Sequence, residues 1–84
     1  MSNKLNIETE HKRHGYQIKK VTGFTPFELD YLNRMPYQDM KQSALTLLDE
    51  RNNGIGTVWH NGYGVYQMWV GADALFVEIG DSCD

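Results

Sequence analysis

The segment FTPFEL, at positions 24–29, carries the strongest local signal in the chain and marks the start of a helix. Thr25 suits the N-cap, because its hydroxyl can accept a hydrogen bond from the backbone of the third helical residue. Glu28 occupies that third position and can return a hydrogen bond to the Thr25 backbone, which completes a capping box. Pro26 fits the first helical position, where its missing N–H is not needed. We therefore predict a helix over residues 25–33.

A second helix is predicted downstream of the first. Pro36 disfavours helical backbone at the residue before it, which separates the two helices. The apolar residues after it recur with a helical period: Tyr37, Met40, Ala44, Leu47 and Leu48. Residues 52–54, Asn-Asn-Gly, accept the left-handed backbone that often ends a helix. The second helix is therefore expected to run from Pro36 to about Arg51.

The residues before the first helix divide into a polar segment and a short strand. Residues 1–14 show no periodicity and few large apolar side chains, so we predict a flexible basic segment. Residues 16–21, between Gly15 and Gly23, have the composition of a strand whose lysines suit the edge of a sheet. Residues 15–84 are then expected to form one small domain.

The residues after the helices lose the helical period and are rich in β-branched and aromatic side chains. Asn61-Gly62 is a strong two-residue hairpin signal, because both turn positions need positive φ, and it would place Val58 opposite Val65. A second turn at residues 71–74 gives three further pairs: Val70 with Leu75, Met68 with Val77 and Tyr66 with Ile79. The whole chain is thus predicted to be α+β: a short N-terminal strand, two consecutive helices, then a three-stranded antiparallel β-meander packed on the helices.

The two faces of that meander would both be apolar, which is unusual for an antiparallel sheet. One face is expected to pack on the helices. The other is expected to contact a partner protein, a second copy or the N-terminal segment, since large exposed apolar patches mark contact sites. The residues predicted for this protein interface are Val58, His60, Tyr63, Val65, Trp69, Phe76 and Glu78.

Composition and charge exclude several classes of protein. A chain of 84 residues has room for one domain, and a single cysteine excludes an internal disulfide. The first twenty residues lack the apolar core of a signal peptide, and no apolar run is long enough to span a membrane, so we expect a cytoplasmic protein without membrane contact. The net charge is −3, with the basic residues concentrated near the N-terminus.

Candidate catalytic and metal-binding residues are few. His11 and His14 flank two basic side chains that would repel a cation, and Cys83 lies next to the last residue, where chains are usually loose. Glu78 among aromatic side chains is the one carboxylate whose surroundings suggest acid–base chemistry, and a place at the rim of a contact surface fits it better. We therefore expect no enzyme activity, no cofactor and no metal.

The resulting functional hypothesis is a small non-enzymatic protein-interaction module that binds a larger protein, with a homodimer as a further candidate assembly. Its size suggests a phage or mobile-element inhibitor that occludes a host protein. The alternative is a nucleic-acid-binding domain, in which a basic N-terminal arm joins an aromatic sheet face that stacks bases. The residues of that alternative are Lys12, Arg13, Lys19 and Lys20. The acidic balance of the rest of the chain weighs against it.

Overall fold

The computed structural model describes residues 4–59 and 64–80. Within these ranges the elements follow one another as β1 (Asn6–Arg13), β2 (Tyr16–Thr22), α1 (Pro26–Asn33), α2 (Tyr37–Arg51), α3 (Ile55–Val58), β3 (Val65–Val70) and β4 (Leu75–Gly80). The strands form one antiparallel sheet in the order β1-β2-β4-β3. The predicted α+β class is confirmed, but the sheet has four strands instead of the three of the predicted meander.

The first helix begins where its sequence signal placed it. The Thr25 hydroxyl accepts a hydrogen bond from the Glu28 backbone N–H at 3.1 Å, and the Glu28 carboxylate accepts one from the Thr25 backbone N–H at 2.9 Å. The predicted capping box is therefore confirmed. Helix α2 also matches its prediction in extent, and its buried side chains are Met40, Ala44, Leu45 and Leu48.

Strand β1 is absent from the sequence prediction, which treated residues 1–14 as a flexible segment. It pairs with β2 from Asn6 opposite Thr22 to Arg13 opposite Tyr16, with a bulge before His11. Nearly all of its side chains are exposed, so the strand shows no alternation of apolar and polar residues. Backbone pairing to β2 holds this strand, and a sequence pattern of burial cannot reveal such pairing.

The N-terminal end of β1 is also fixed to the helical layer. Leu5 is buried, and the side chain of Asn52, the residue after α2, forms two hydrogen bonds with the Leu5 backbone. The Leu5 N–H donates to Asn52 Oδ1 at 2.9 Å, and Asn52 Nδ2 donates to the Leu5 carbonyl at 3.3 Å. One side chain thus takes the place of a paired strand at this point of the sheet edge.

The segment predicted as the first strand of the meander forms helix α3 instead, so the predicted pairing of Val58 with Val65 is wrong. Gly54 turns the chain at φ 87°, immediately after α2. The Asp49 carboxylate then accepts hydrogen bonds from the Thr57 backbone N–H at 2.6 Å and hydroxyl at 2.8 Å. These contacts override the strand preference of the β-branched residues. The predicted turn at residues 61–62 lies outside the described residues.

The register of the second hairpin agrees with its prediction near the turn and departs from it farther away. Val70 pairs with Leu75 and Met68 with Val77, as predicted. Ile79 pairs with Val65, not with Tyr66, because a bulge between positions 65 and 67 adds one residue to β3. Met68, Val70, Leu75, Val77 and Ile79 therefore keep their predicted places on the helix-facing side of the sheet, whereas Tyr66, also predicted there, is 60% exposed.

The core lies between the helices and one face of the sheet. Val21 of β2 and Leu75, Val77 and Ile79 of β4 point into it, and no charged side chain in the described part of the chain is buried. Trp59 is also buried there, at the end of α3. The largest fully buried side chains come from both layers and are Leu32, Leu48, Leu75, Val21 and Val77.

Candidate functional site

The face of the sheet opposite the helices, here named the open face, is the strongest candidate for a contact surface. Its members follow from the strand register: Glu8, His11 and Arg13 on β1, Tyr16, Ile18 and Lys20 on β2, Phe76 and Glu78 on β4, and Gln67 and Trp69 on β3. Every one of these side chains is exposed or half-buried. The helices cover only the other face.

A stacked aromatic pair forms the apolar part of the open face. Trp69 and Phe76 lie opposite each other on β3 and β4, with ring centroids 5.5 Å apart and ring planes 11° from parallel. Trp69 is 37% exposed, which is high for the largest side chain. Gly71 leaves room for the pair, because a Cβ at that position would lie 2.7 Å from Phe76 Cε2. The rings are therefore held together at the surface by the shape of the second hairpin.

Polar side chains surround this pair. Gln67 donates a hydrogen bond to Glu78 at 2.8 Å on the side nearer the far end of β3. Lys20 lies directly opposite Phe76 on the neighbouring strand β2. A stacked apolar centre with a polar border is the usual composition of a protein interface.

The structure brings together only part of the predicted interface. Trp69, Phe76 and Glu78 do share the open face. Val65 pairs with Ile79 on the opposite face and packs against the core. Val58 lies on α3 and is 50% exposed, away from the sheet. Val58 differs because the first half of the predicted hairpin is a helix, and Val65 differs because the bulge between positions 65 and 67 shifts the register of β3. The predicted interface residues His60 and Tyr63 lie outside the described residues.

The residues predicted for nucleic-acid binding do not form one patch. Lys20 and Arg13 lie on the open face, whereas Lys12 and Lys19 point to the other face by the alternation of their strands. Lys19 also donates a hydrogen bond to the Thr9 hydroxyl at 2.6 Å. Two basic side chains therefore remain on the open face, beside carboxylates of the same face.

Sequence reasoning missed two apolar members of the open face, Tyr16 and Ile18. Both are half-buried on β2, and the Tyr16 ring lies 6.5 Å from the His11 ring, centroid to centroid. The sequence placed β2 at the edge of the sheet, so its alternate residues were not assigned to a shared face. In the structure β2 pairs with both β1 and β4, which extends the open face across four strands.

A second apolar surface lies in the helical layer. Phe27 and Tyr31, one turn apart on α1, are 77% and 54% exposed. Their rings stack with centroids 6.5 Å apart and planes 11° from parallel. They border a groove of about 450 Å³ between α1 and α2, which Leu47 lines from α2. The pair is visible in the sequence as two aromatics on the face of α1 opposite Leu29 and Leu32.

One ion pair ties the two main helices together near this groove. Glu28, at the start of α1, pairs with Arg51, at the end of α2, and Arg51 also donates to the Gly23 carbonyl at 3.4 Å. Partial burial would raise the pKa of Glu28, but hydrogen bonds from the Thr25 backbone and the Arg51 guanidinium lower this pKa below its ordinary value. This ion pair has a structural role, because Glu28 belongs to the capping box of α1 and Arg51 is the last residue of α2.

Two further kinds of feature are absent from the described part of the chain. Within residues 4–59 and 64–80, no group of three or more His, Cys, Asp or Glu side chains is arranged to hold a metal ion. Among the same residues, no helix has the length and apolar character needed to cross a membrane. Comparison with known proteins gives no match to a family model, to a curated protein or to a solved structure.

Proposed function

We propose that this protein is a small, non-enzymatic interaction module that binds a larger protein through the open face of its sheet. The observation that carries the proposal is the stacked pair of Trp69 and Phe76, exposed on a sheet face that the helices leave free. Aromatic side chains supply much of the binding energy at protein interfaces, where they form a centre from which water is excluded. Occlusion of a functional surface on the larger protein is the mode of action that fits a domain of this size.

The balance of charge favours a protein partner over nucleic acid. The open face carries Arg13 and Lys20 together with Glu8 and Glu78, so neither sign predominates. Binding to phosphates requires a positive surface, whereas mixed charge is ordinary at the rim of a protein interface. Such a rim would give the contact its orientation and would contribute less to its affinity.

Nucleic-acid binding is the second candidate, and one observation supports it. Lys20 lies across from Phe76, so a base stacked on the aromatic pair would have its phosphate within reach of an ammonium group. This candidate predicts binding to single-stranded oligonucleotides that weakens steeply as salt is raised. Fluorescence anisotropy over a salt series measures it, and an absence of binding at low salt would remove it.

The experiment for the main proposal compares two variants of the full chain in nuclease-treated lysate of the native host. The double variant Trp69→Ala/Phe76→Ala should lose its partner, with affinity for the identified protein at least about thirtyfold weaker, as for a pair of interface hot spots. Val58→Ala, an exposed apolar residue on α3, is the matched control and should bind like the unmodified chain. Binding constants are measured by titration of the purified partner.

Circular dichroism and thermal unfolding establish that the double variant remains folded. Partner binding by the folded double variant with unchanged affinity would contradict the proposal. Equal losses in the double variant and in Val58→Ala would also contradict it, because the contact would then not be centred on the aromatic pair.

A further inference from the structure

We infer that the groove between α1 and α2 is a second binding surface and that it accepts a basic amphipathic helix of another protein. The groove belongs to the helical layer, whereas the open face belongs to the other side of the sheet. The inference is independent of the proposed function, since it uses different residues and a different side of the molecule. Its support comes from exposure, shape and charge.

The exposure of the groove's aromatic border is the first argument. Phe27 and Tyr31 leave most of their surface in water although each is large enough to fill part of a core. Their parallel stacking presents both rings on one side of α1. Exposed aromatics arranged as a pair mark interaction sites more reliably than single exposed apolar residues.

The shape of the surface is the second argument. Leu47 and the small side chains of Ser43 and Thr46 form the wall on α2, and the aromatic pair forms the wall on α1. A cleft between two packed helices offers room for the apolar stripe of a third, whose anchor residues recur three or four positions apart. A volume of about 450 Å³ accommodates several such side chains.

Charge identifies the kind of helix that fits. Among the described residues that line the groove, Glu28 and Glu50 are carboxylates and none is basic. Arg51 neutralises Glu28, but Glu50 takes part in neither of the ion pairs found within the described residues. A Lys or Arg next to the apolar stripe of the partner would meet Glu50 and would also lie near the faces of the exposed rings, where cations are favoured.

A second copy of the chain is a poorer occupant by the same reasoning. Two grooves brought face to face would place Glu50 of each copy in a shared apolar contact without a basic side chain from either groove. Each copy also carries a net charge of −3, so long-range repulsion would oppose the encounter. A basic partner avoids both costs.

The test uses a fluorescent synthetic peptide of leucine and lysine with a helical period, and a matched peptide in which glutamate replaces lysine. We expect the lysine peptide to bind the full chain and to shift the amide NMR signals of α1 and α2, while the glutamate peptide does not bind. The double variant Phe27→Ala/Tyr31→Ala should bind the lysine peptide at least about tenfold more weakly. Phe27→Lys, which alters only an exposed side chain, should do the same if the double variant fails to fold.

Charge-matched controls separate groove binding from general attraction to an acidic protein. Glu50→Gln should weaken binding by about threefold at low salt, as for an exposed ion pair, whereas Asp39→Asn on the first turn of α2 should leave it unchanged. Equal effects of these two variants, or unchanged binding by both groove variants, would overturn the inference. So would a dimer of the unmodified chain in light scattering that Phe27→Lys converts to monomer, since a second copy would then be the occupant.

Discussion

Gly56 is the residue whose identity the packing of the helices most strictly requires. A Cβ at this position would lie 2.3 Å from the Leu45 carbonyl oxygen and 2.8 Å from Asp49 Oδ1. Because the nearest atom belongs to the backbone of α2, it cannot move aside as a flexible side chain would. The absence of a side chain at position 56 is what allows α3 to lie against α2.

Substitution of this glycine should therefore reverse the usual effect of adding a methyl group to a helix. In an exposed helix Gly→Ala is stabilising by about 1 kcal/mol, but we expect Gly56→Ala to lower the free energy of unfolding by about 1–3 kcal/mol. Urea unfolding followed by tryptophan fluorescence measures the change, since Trp59 is buried at the end of α3. A variant as stable as the unmodified chain would show that α3 is not packed in this way.

The two edges of the sheet are protected by different means. At the β3 edge, the Met68 N–H donates to the Tyr37 hydroxyl at 3.2 Å and Lys41 donates to the Val65 carbonyl at 3.4 Å, so side chains of α2 occupy backbone groups of the strand. At the β1 edge, charged side chains and a bulge serve the same end. Both devices discourage pairing with the strand of another molecule.

Removal of one hydroxyl tests the protection of the β3 edge. Tyr37→Phe keeps the ring but leaves the Met68 N–H without its acceptor, and we expect a loss of about 1 kcal/mol in stability. Amide hydrogen exchange of Met68 should accelerate, and the variant should self-associate more at high concentration. Tyr31→Phe, which removes a hydroxyl from the exposed groove border, is the control. Unchanged hydrogen exchange at the Met68 amide would contradict this role, because it would mean that the Tyr37 hydroxyl does not protect the Met68 N–H from water.

The helices and the second hairpin turn could be predicted because their signals are local. Thr25 and Glu28 are three residues apart, and the register near residues 71–74 depends on one short turn. Helix α3 was missed because its β-branched residues favour a strand and the hydrogen bonds from Thr57 to Asp49 override that preference. Strand β1 was missed because distant contacts decide it. Asn52 forms hydrogen bonds with the Leu5 backbone across 47 positions, and no sequence pattern near either residue indicates this contact.

The same distinction explains which part of the candidate site was found. Trp69 and Phe76 were assigned to one face correctly, because they face each other within a single hairpin. Tyr16 and Ile18 were missed, because they join that face only through the pairing of β2 with β4, far apart in sequence. The exposed pair on α1 was not predicted, although Phe27 and Tyr31 lie on the side of the helix opposite Leu29 and Leu32.

For the molecule as a whole, the Glu28–Arg51 pair links stability to pH. The pKa of Glu28 is lowered in the folded chain, so its contribution is complete above the ordinary carboxylate pKa of about 4.3 and is lost as pH falls through the lowered folded value. Neutral pH is therefore on the stable side, and acid removes this contribution.

We expect Glu28→Gln to be less stable than the unmodified chain at pH 7, by about 1–2 kcal/mol, because Arg51 loses its partner and the cap is weakened. The difference should be smaller at pH 3 than at pH 7, because pH 3 lies below the ordinary carboxylate pKa of about 4.3, where protonation of Glu28 favours the unfolded chain. Urea unfolding at both pH values measures it, with the exposed Glu50→Gln as the reference for general charge effects. A difference that is the same at both pH values would contradict the role of this ion pair.

The order of strands in the sheet also constrains how the chain acquires its structure during synthesis. The two central strands, β2 and β4, come from opposite ends of the described sequence, and β4 is the last element in the order. The β1–β2 hairpin and the helices therefore emerge from the ribosome with their apolar sides uncovered, and the core can close only when residues 75–80 arrive. Contacts of such long sequence separation slow folding, so the nascent chain has a period in which chaperones or proteases can engage it.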